Sequence, residues 1–578
     1  MNNKHIADIF SKIADMLEVK NENVFRVRAY RTAANNISSL SREISDIYAE
    51  DPSRIDDIPG IGKDLKAKIL ELIETGELAY FKQLQEEFPK GFIQMMSLEG
   101  LGPKKLKKLR DEVGIENVDQ LEKACREGRL ESVQGMGVRT EEKLLAAIEH
   151  FRQKQGRLLL PEAYEMAEEL TGYLKKSKVF RKVEKAGSLR RGRETVGDLD
   201  ILAEASDPRK AMEHFCAYPL VSDIIAKGST KSSVKLVNGT NVDLRLVEKR
   251  SFGAAMVYFT GSKQHNVKIR HIAKGKGLKV SEYGVFSVNE RTGSERFVAG
   301  RTEEELYRKL GMEWIPPELR EMRGEVEAAL EGKIPKDLVK SGDIKGDLHV
   351  HTTASDGNAT VEEVVKKARK LGYEYVAVSD HSQNVAVAGG LDRKRLLKNI
   401  DKIRKLDSKT KGINILAGSE VDILDKGRLD YPDSVLKELD WVTAAIHSKF
   451  SLPRKDQTER VLRALDNKYV NVLAHPSGRL ITRRRPLQLD FDAIFRKAAE
   501  NGVFMEINTH GDRIDLNDTN SARAKELGCR FCINSDAHSL EQMELVGYGV
   551  ITARRAWLRK KDIINTLRAD ELVKLNRR

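Results

Sequence analysis

Cysteine is scarce in this chain: four in 578 residues, Cys125, Cys216, Cys529 and Cys532. So few, scattered over such a length, exclude a disulfide framework and point to a reducing compartment, the cytoplasm. Cys529 and Cys532 have C-x-x-C spacing, but they flank an apolar run and have no second pair, so they read as core thiols. Long apolar runs are missing too. None reaches the roughly 20 residues that span a bilayer. The opening MNNKHIADIFSKIADML reads as an amphipathic helix with acidic residues, not as a signal peptide. No membrane partner is expected, and a monomer is.

Charge and length are abundant. With 33% charged and 40% hydrophobic residues the chain should be folded and soluble, and its length exceeds one hydrophobic core, implying three to five domains. A formal charge of +13 and a pI near 9.2 favour a polyanionic partner. Residues 1–150 are net acidic, so the basic excess lies in the middle and C-terminal parts.

Within that basic middle, residues 187–200 read GSLRRGRETVGDLD. On a strand, residues i and i+2 point the same way, so Asp198 and Asp200 project two carboxylates from one face. Such a pair repels itself unless cations lie between. Hard oxygen ligands suit Mg²⁺, which also takes waters and substrate phosphates, and two such ions serve nucleotidyl transfer. Asp243, on a strand that follows a turn at Gly239, is placed to supply a third carboxylate. Strands are expected at 183–189, 198–203 and 234–246. Arg191 offers a planar, bidentate phosphate contact that lysine would not.

Residues 1–150 read as helical, with one recurring signature. Three apolar-x-Gly-apolar-Gly turns each open a helix, their glycine pairs being Gly60 and Gly62, Gly100 and Gly102, and Gly135 and Gly137. Such turns bring free amides at a helix N-terminus close to a phosphate. They resemble helix-hairpin-helix motifs, which hold the DNA backbone without reading sequence. Lys104, Lys105, Lys107 and Lys108 add a local basic face.

The ordered combination of Gly187-Ser188, Arg190-Arg191, Asp198-x-Asp200, Asp243 and Tyr258-Phe259-Thr260-Gly261-Ser262 resembles a family X, polymerase beta-like DNA polymerase over residues 1–317. The resemblance implies that Asp198 and Asp200 hold two Mg²⁺ ions and that Asp243 completes the site of the ion serving the primer 3′-hydroxyl. It assigns Gly187, Ser188 and Arg191 to the triphosphate of a dNTP. Tyr258, Phe259 and Gly261 fall beside the sugar, Asn266 at the base's minor-groove edge, and Arg270 on the template strand. Lys68 matches the position of a lyase lysine, which would need a neutral amine to act as a nucleophile; a DNA-contacting lysine is the competing reading.

Pro316-Pro317 closes that part, and 318–340 reads as a linker. Beyond it, apolar runs at 346–350, 374–379, 413–421, 441–446, 470–474, 503–507 and 531–534 alternate with helical segments. Seven buried strands with intervening helices imply a parallel (β/α)₇-type barrel, whose chemistry gathers at the strands' C-terminal ends. There lie His349, His351, Asp356, His381, Glu420, His447, His475, Asp536 and His538. Six imidazoles and three carboxylates exceed what one ion takes, so two to three ions of Mn²⁺, Zn²⁺ or Fe²⁺ are expected. His510 and the basic loop Arg479 to Arg485 are candidate substrate contacts. This half resembles a polymerase and histidinol phosphatase (PHP) phosphoesterase domain over about 341–575, which implies a metal-dependent 3′-5′ exonuclease and AP endonuclease or 3′-phosphodiesterase chemistry.

The expected architecture is multidomain. A helical helix-hairpin-helix region comprises a DNA-binding domain (1–95) and a fingers-like subdomain (96–150). An α+β nucleotidyltransferase palm (151–250), a thumb (251–317), the linker (318–340) and a distorted (β/α)₇ PHP barrel (341–578) follow. The expected function is gap filling on gapped or primed double-stranded DNA in base excision repair. Two alternatives stay open: an RNA-directed nucleotidyltransferase, and a DNA-binding scaffold with one active half.

Overall fold

The computed structural model describes residues 3–38, 44–58, 60–96, 98, 101–133, 136–137, 140–145, 147–148, 157–289, 291–481 and 483–576. The chain forms two compact units, Met1–Gln155 and Gly156–Arg578.

The first unit is helical. Helix Lys63–Thr75 starts after Gly62 and stops at Gly76, whose φ of 78° gives a left-handed cap. Helix Pro103–Val113 starts after Gly102, with Pro103 at the first helical position where its missing N–H costs nothing. One buried cluster running from Ile6 to Ile148 merges the expected 1–95 and 96–150 subdomains into a single core.

The second unit opens with a five-stranded palm sheet in the order Phe180–Lys185, Asp198–Ala205, Asn241–Leu246, Lys231–Leu236 and Val221–Lys227. Two expectations are corrected here. The strand expected over 183–189 ends at Lys185, and Gly187–Arg190 form one helical turn, because Gly187 takes φ 62° and reverses the chain. The strand expected over 234–246 is a hairpin folded at Gly239, φ 87°.

Next come helices Phe252–Thr260 and Lys263–Gly275 and a three-stranded antiparallel sheet of Leu278–Ser281, Gly284–Val288 and Glu295–Ala299. Residues 318–340 are no free linker. Leu319, Val326, Ala329, Ile334 and Leu338 are buried in the same cluster as Ala254, Ile269 and Tyr307, since their apolar side chains complete that core.

The C-terminal part is a seven-stranded parallel barrel in sequence order: Gly346–Val350, Tyr375–Val378, Asn414–Asp422, Trp441–Ala445, Val472–Leu473, Phe504–Asn508 and Phe531–Asn534. Every strand falls within two residues of its expected apolar run at the start or end. A parallel bridge from Val350 to Ala537 joins the first strand to the chain just past the seventh. Helices cover the outside, and one of them, Val546–Arg555, packs on the sixth and seventh strands.

Candidate active sites

In the palm, strands Asp198–Ala205 and Asn241–Leu246 pair in parallel with Asp200 opposite Asp243 and Asp198 opposite Asn241. Asp198, Asp200 and Asp243 therefore share one face of the sheet. Burial, then the neighbouring Asp198 and Asp243 charges, push Asp200 up from 3.8 to about 6. Asp243 accepts from Ser233 Oγ at 2.6 Å and pairs with Lys231 Nζ at 2.6 Å. Gly187 lies against this set: a Cβ on it would collide with Asp200 Oδ2, so the turn reaches the carboxylates only as glycine. Three clustered carboxylates, one of them pushed up by burial and by its neighbours, are a donor set that fits hard divalent cations.

Arg191 lies beside that turn, its Nε donating to Glu321 Oε1 at 2.9 Å and its Nη1 to Thr260 O at 2.5 Å. Its neighbour Arg190 is bound into the fold: it forks onto Glu303 at 2.7 and 2.8 Å, and Glu303 also holds buried Arg320 at 2.8 Å. Ser188 sits in the helical turn Gly187–Arg190. Tyr258 and Phe259 meet edge to face, 5.1 Å between centroids, at the end of helix Phe252–Thr260, and Arg245 lies over Phe259. Gly261, φ 70°, has Arg191 Nη1 on the side where a Cβ would stand. Asn266 Nδ2 donates to the Tyr258 carbonyl at 2.6 Å, and Arg270 one turn on is exposed. The structure thus brings the three aspartates, Gly187, Arg191 and Gly261 together.

In the first unit, Gly60 takes φ 79° and abuts Thr32, while Gly62 and Gly102 cap their helices and Gly137 lies outside any helix or strand. Gly100 and Gly135 lie outside the described residues. Lys68 pairs with Asp64 and sits over the Tyr80 ring, 5.2 Å from its centroid.

At the barrel's C-terminal mouth the nine candidate ligands converge. His351, Asp356, His381 and His538 offer one atom each within 4.8 Å of one another; so do His349, His351, Glu420 and Asp536, and so do His381, Glu420 and His447. His475 joins through Nε2, 2.8 Å from Glu420 Oε1. His475 and Asp536 adopt φ of 29° and 54°, left-handed strain of the kind held at functional sites. A cavity of about 280 Å³ opens onto this cluster.

The electrostatics fit metal ions. Burial would lower His381, but Glu420 and Asp356 outweigh it and raise it to about 10. His349 is likewise held well above its usual range against burial by Glu506, Asp536 and Glu420. Burial would raise Glu420, yet His447, His381 and His349 hold it well below the carboxylate range. His351, buried and beside His538 and His381, drops to about 3, which leaves its imidazole neutral. Protons on imidazoles here occupy positions that a divalent ion would take, so metal uptake must expel them. His349 Nε2, His351 Nδ1, His447 Nδ1 and Glu420 Oε2 are buried and make no hydrogen bond, the orphaned lone pairs that ligation would satisfy.

Sequence reasoning missed several residues here. Glu506, fully buried, accepts from His349 Nδ1 at 2.8 Å and from the His475 amide at 2.8 Å, so it aims His349 Nε2 at the cluster. Its only signal was an acid inside an apolar run. Asp422 accepts from the His447 amide at 3.0 Å, and Arg513 lines the cavity, Nε 3.6 Å from Asp536 Oδ2. The structure places three of the candidate substrate contacts. Arg479 is paired with Glu194 of the palm at 2.6 and 3.2 Å, and Arg484 lies over Phe450. His510 bonds Asp512 at 2.8 Å and does not line the cavity.

Known families match four stretches: a helix-hairpin-helix domain over residues 1–78, a SAM-like helix-hairpin-helix tandem over 92–149, the DNA polymerase beta thumb over 255–321 and a PHP domain over 347–510. The DNA polymerase/3′-5′ exonuclease PolX of Bacillus subtilis (strain 168) is 38% identical over 567 residues, 98% of this chain and 97% of that protein. A probable phosphatase of Acetivibrio thermocellus is 34% identical over 202 residues, 33% of this chain and 78% of its own length. One from Thermoanaerobacter sp. (strain X514) is 30% identical over 204 residues, again 33% of this chain and 78% of its own.

Proposed function

The chain belongs to the family X DNA polymerases that carry a C-terminal PHP domain, and on that premise we propose that it fills short DNA gaps in base excision repair. It is a DNA-directed DNA polymerase with a 3′-5′ exonuclease, the first activity belonging to the palm and the second to the barrel.

One observation carries the polymerase reading: Asp200 registers against Asp243, with Asp198 on the same face and Gly187 against Asp200. Two Mg²⁺ ions there would lower the pKa of the primer hydroxyl and neutralise the departing pyrophosphate. The remaining work is positioning. Gly187 and Ser188 bring backbone amides to the triphosphate, and Arg191, steadied by Glu321 and Thr260, turns its remaining N–H donors toward phosphate oxygens. Tyr258, Phe259 and Gly261 flank the sugar, Asn266 meets the base edge and Arg270 the template. In the barrel, two to three Mn²⁺, Zn²⁺ or Fe²⁺ ions held by the nine ligands would supply Lewis acidity toward a phosphodiester. Glu506 and Asp422 orient His349 and His447, and Arg513 is placed to meet a substrate phosphate. AP endonuclease and 3′-phosphodiesterase action would use the same residues.

The glycine-capped helices of the first unit favour duplex DNA as the partner. A cytoplasmic monomer is proposed from the few scattered cysteines, which suit a reducing compartment; no helix among the described residues is long and apolar enough to cross a membrane. Gap filling tests the reading: on a one-nucleotide gap in DNA the full chain should insert the templated dNTP and stop at the downstream end. Faster insertion on an RNA template, or none on DNA, would sink it.

Lyase chemistry at Lys68 is weighed against by its surroundings, because its amine is already engaged by the Asp64 carboxylate and the Tyr80 ring face. Borohydride trapping on abasic-site DNA is therefore expected to give no adduct that Lys68→Ala removes. An adduct lost in that variant would restore the lyase role.

A further inference from the structure

The triphosphate turn of the palm is seated on the PHP domain. Gly192, the residue after Arg191, has φ 65°, and a Cβ there would run into Ile551 on helix Val546–Arg555. At the end of that helix Arg555 is almost fully buried, with 4% of its side chain exposed. Its Nη1 donates to the Arg191 carbonyl at 2.6 Å and to Glu321 Oε1 at 3.1 Å. Its Nε and Nη2 fork onto Asp518 Oδ2 at 3.0 and 2.7 Å. The helix itself is fixed at both faces: a Cβ on Gly549 would collide with Thr509 and Ile533 of the barrel, and Tyr548 meets Tyr164 of the palm edge to face at 5.8 Å.

Arginine carries five N–H donors. Arg191 uses Nε on Glu321 and one Nη1 hydrogen on Thr260, which fixes the plane of its fork and leaves the other donors for phosphate oxygens. The clamp is only as rigid as Glu321. Arg193 stands 3.9 Å from the other carboxylate oxygen, too far for a hydrogen bond, so Arg555 is the second close cation on Glu321. Arg555 also ties the backbone of the turn through the Arg191 carbonyl.

We propose that Arg555, a residue of the PHP domain, is a positioning residue for the polymerase reaction: through Glu321 and the Arg191 carbonyl it holds Arg191 in the orientation that receives the incoming triphosphate. This rests on the reading of Arg191 as a triphosphate ligand. It gives helix Val546–Arg555 a role that neither active site alone requires.

The test is steady-state extension of primed DNA by the full chain with dNTP varied, beside exonuclease rate and thermal midpoint. Arg555→Ala is expected to raise KM for dNTP roughly tenfold, the worth of a lost charge-assisted hydrogen bond, with kcat and exonuclease rate at wild-type values. Arg555→Lys keeps the charge but not the fork, so its KM should fall between the two. Glu321→Gln should raise KM as well. Arg191→Ala separates the premise from the inference. If it raises KM while Arg555→Ala and Glu321→Gln do not, the inference alone is overturned; if it leaves KM unmoved, the premise falls and the inference with it. Should Arg555→Ala fold poorly, Arg555→Lys and Glu321→Gln decide, and parallel loss of both activities in these two would make the contact structural and overturn the proposal.

Discussion

Asp200→Asn is expected to reduce primer extension on the order of 10³-fold, the scale of removing one preorganised electrostatic group at a reacting centre, while making the metal-free protein more stable at alkaline pH. Both effects have one cause. Asp200 is pushed up to about 6 by burial and by the Asp198 and Asp243 charges, so the folded state binds more protons than the unfolded state between 3.8 and about 6. Stability contributed at this position therefore falls as pH rises through that window, and the penalty is complete above it. An amide cannot ionise. The gain in thermal midpoint should thus be larger at pH about 8 than at about 4.5. Calorimetry of metal-free wild type and variant at both pH values checks this, beside extension assays with Mg²⁺. A variant that extends normally, or one less stable at both pH values, would remove Asp200 from the metal-holding set.

Glu420→Gln is expected to cost the exonuclease on the order of 10³-fold and to leave polymerase extension untouched. Glu420 stands at the centre of the imidazoles: Oε1 lies 2.8 Å from His475 and 3.1 Å from His447, and Oε2 2.9 Å from His381 and 3.5 Å from both His349 and His351. Removing its charge withdraws the anion that all five face and a shared ligand of two of the clusters. The polymerase should not register the change, because Glu420 is on the third strand whereas helix Val546–Arg555 packs on the sixth and seventh. Metal content and excision rate on a 3′ end, measured with extension on the same preparation, decide the matter. Full excision by the variant, or lost extension, would contradict two independent sites.

These residues differ in how visible they were. The barrel strands announced themselves as short continuous apolar runs, since strands buried on both faces carry no polar alternation. The ligands stood out because imidazoles and acids directly follow those runs. Asp198 and Asp200 were equally plain from the two-residue period of a strand. The registration of Asp200 with Asp243 was not, because pairing across a long connection leaves no local pattern. Glu506 was hidden for the opposite reason: one acid in Phe504–Asn508 resembles noise until His349 is seen beside it. Residues 318–340 were misjudged because charged residues dominate the segment and its few apolar positions find their partners only in the folded thumb. Arg555 and Glu321 were invisible, 234 residues apart on two domains.

The bridge from Val350 to Ala537 bears on how the protein is made. His351 leaves the ribosome 185 residues before Asp536, the carboxylate it meets at 3.1 Å. At about 5–20 residues per second that is a wait of roughly 10–40 s. Throughout it, the nascent chain carries an unclosed parallel sheet whose first strand is an open edge, available to pair with other chains. Demand for chaperones is therefore concentrated in the last stage of synthesis, and a translation product that stops before Asp536 lacks part of the candidate metal-binding set.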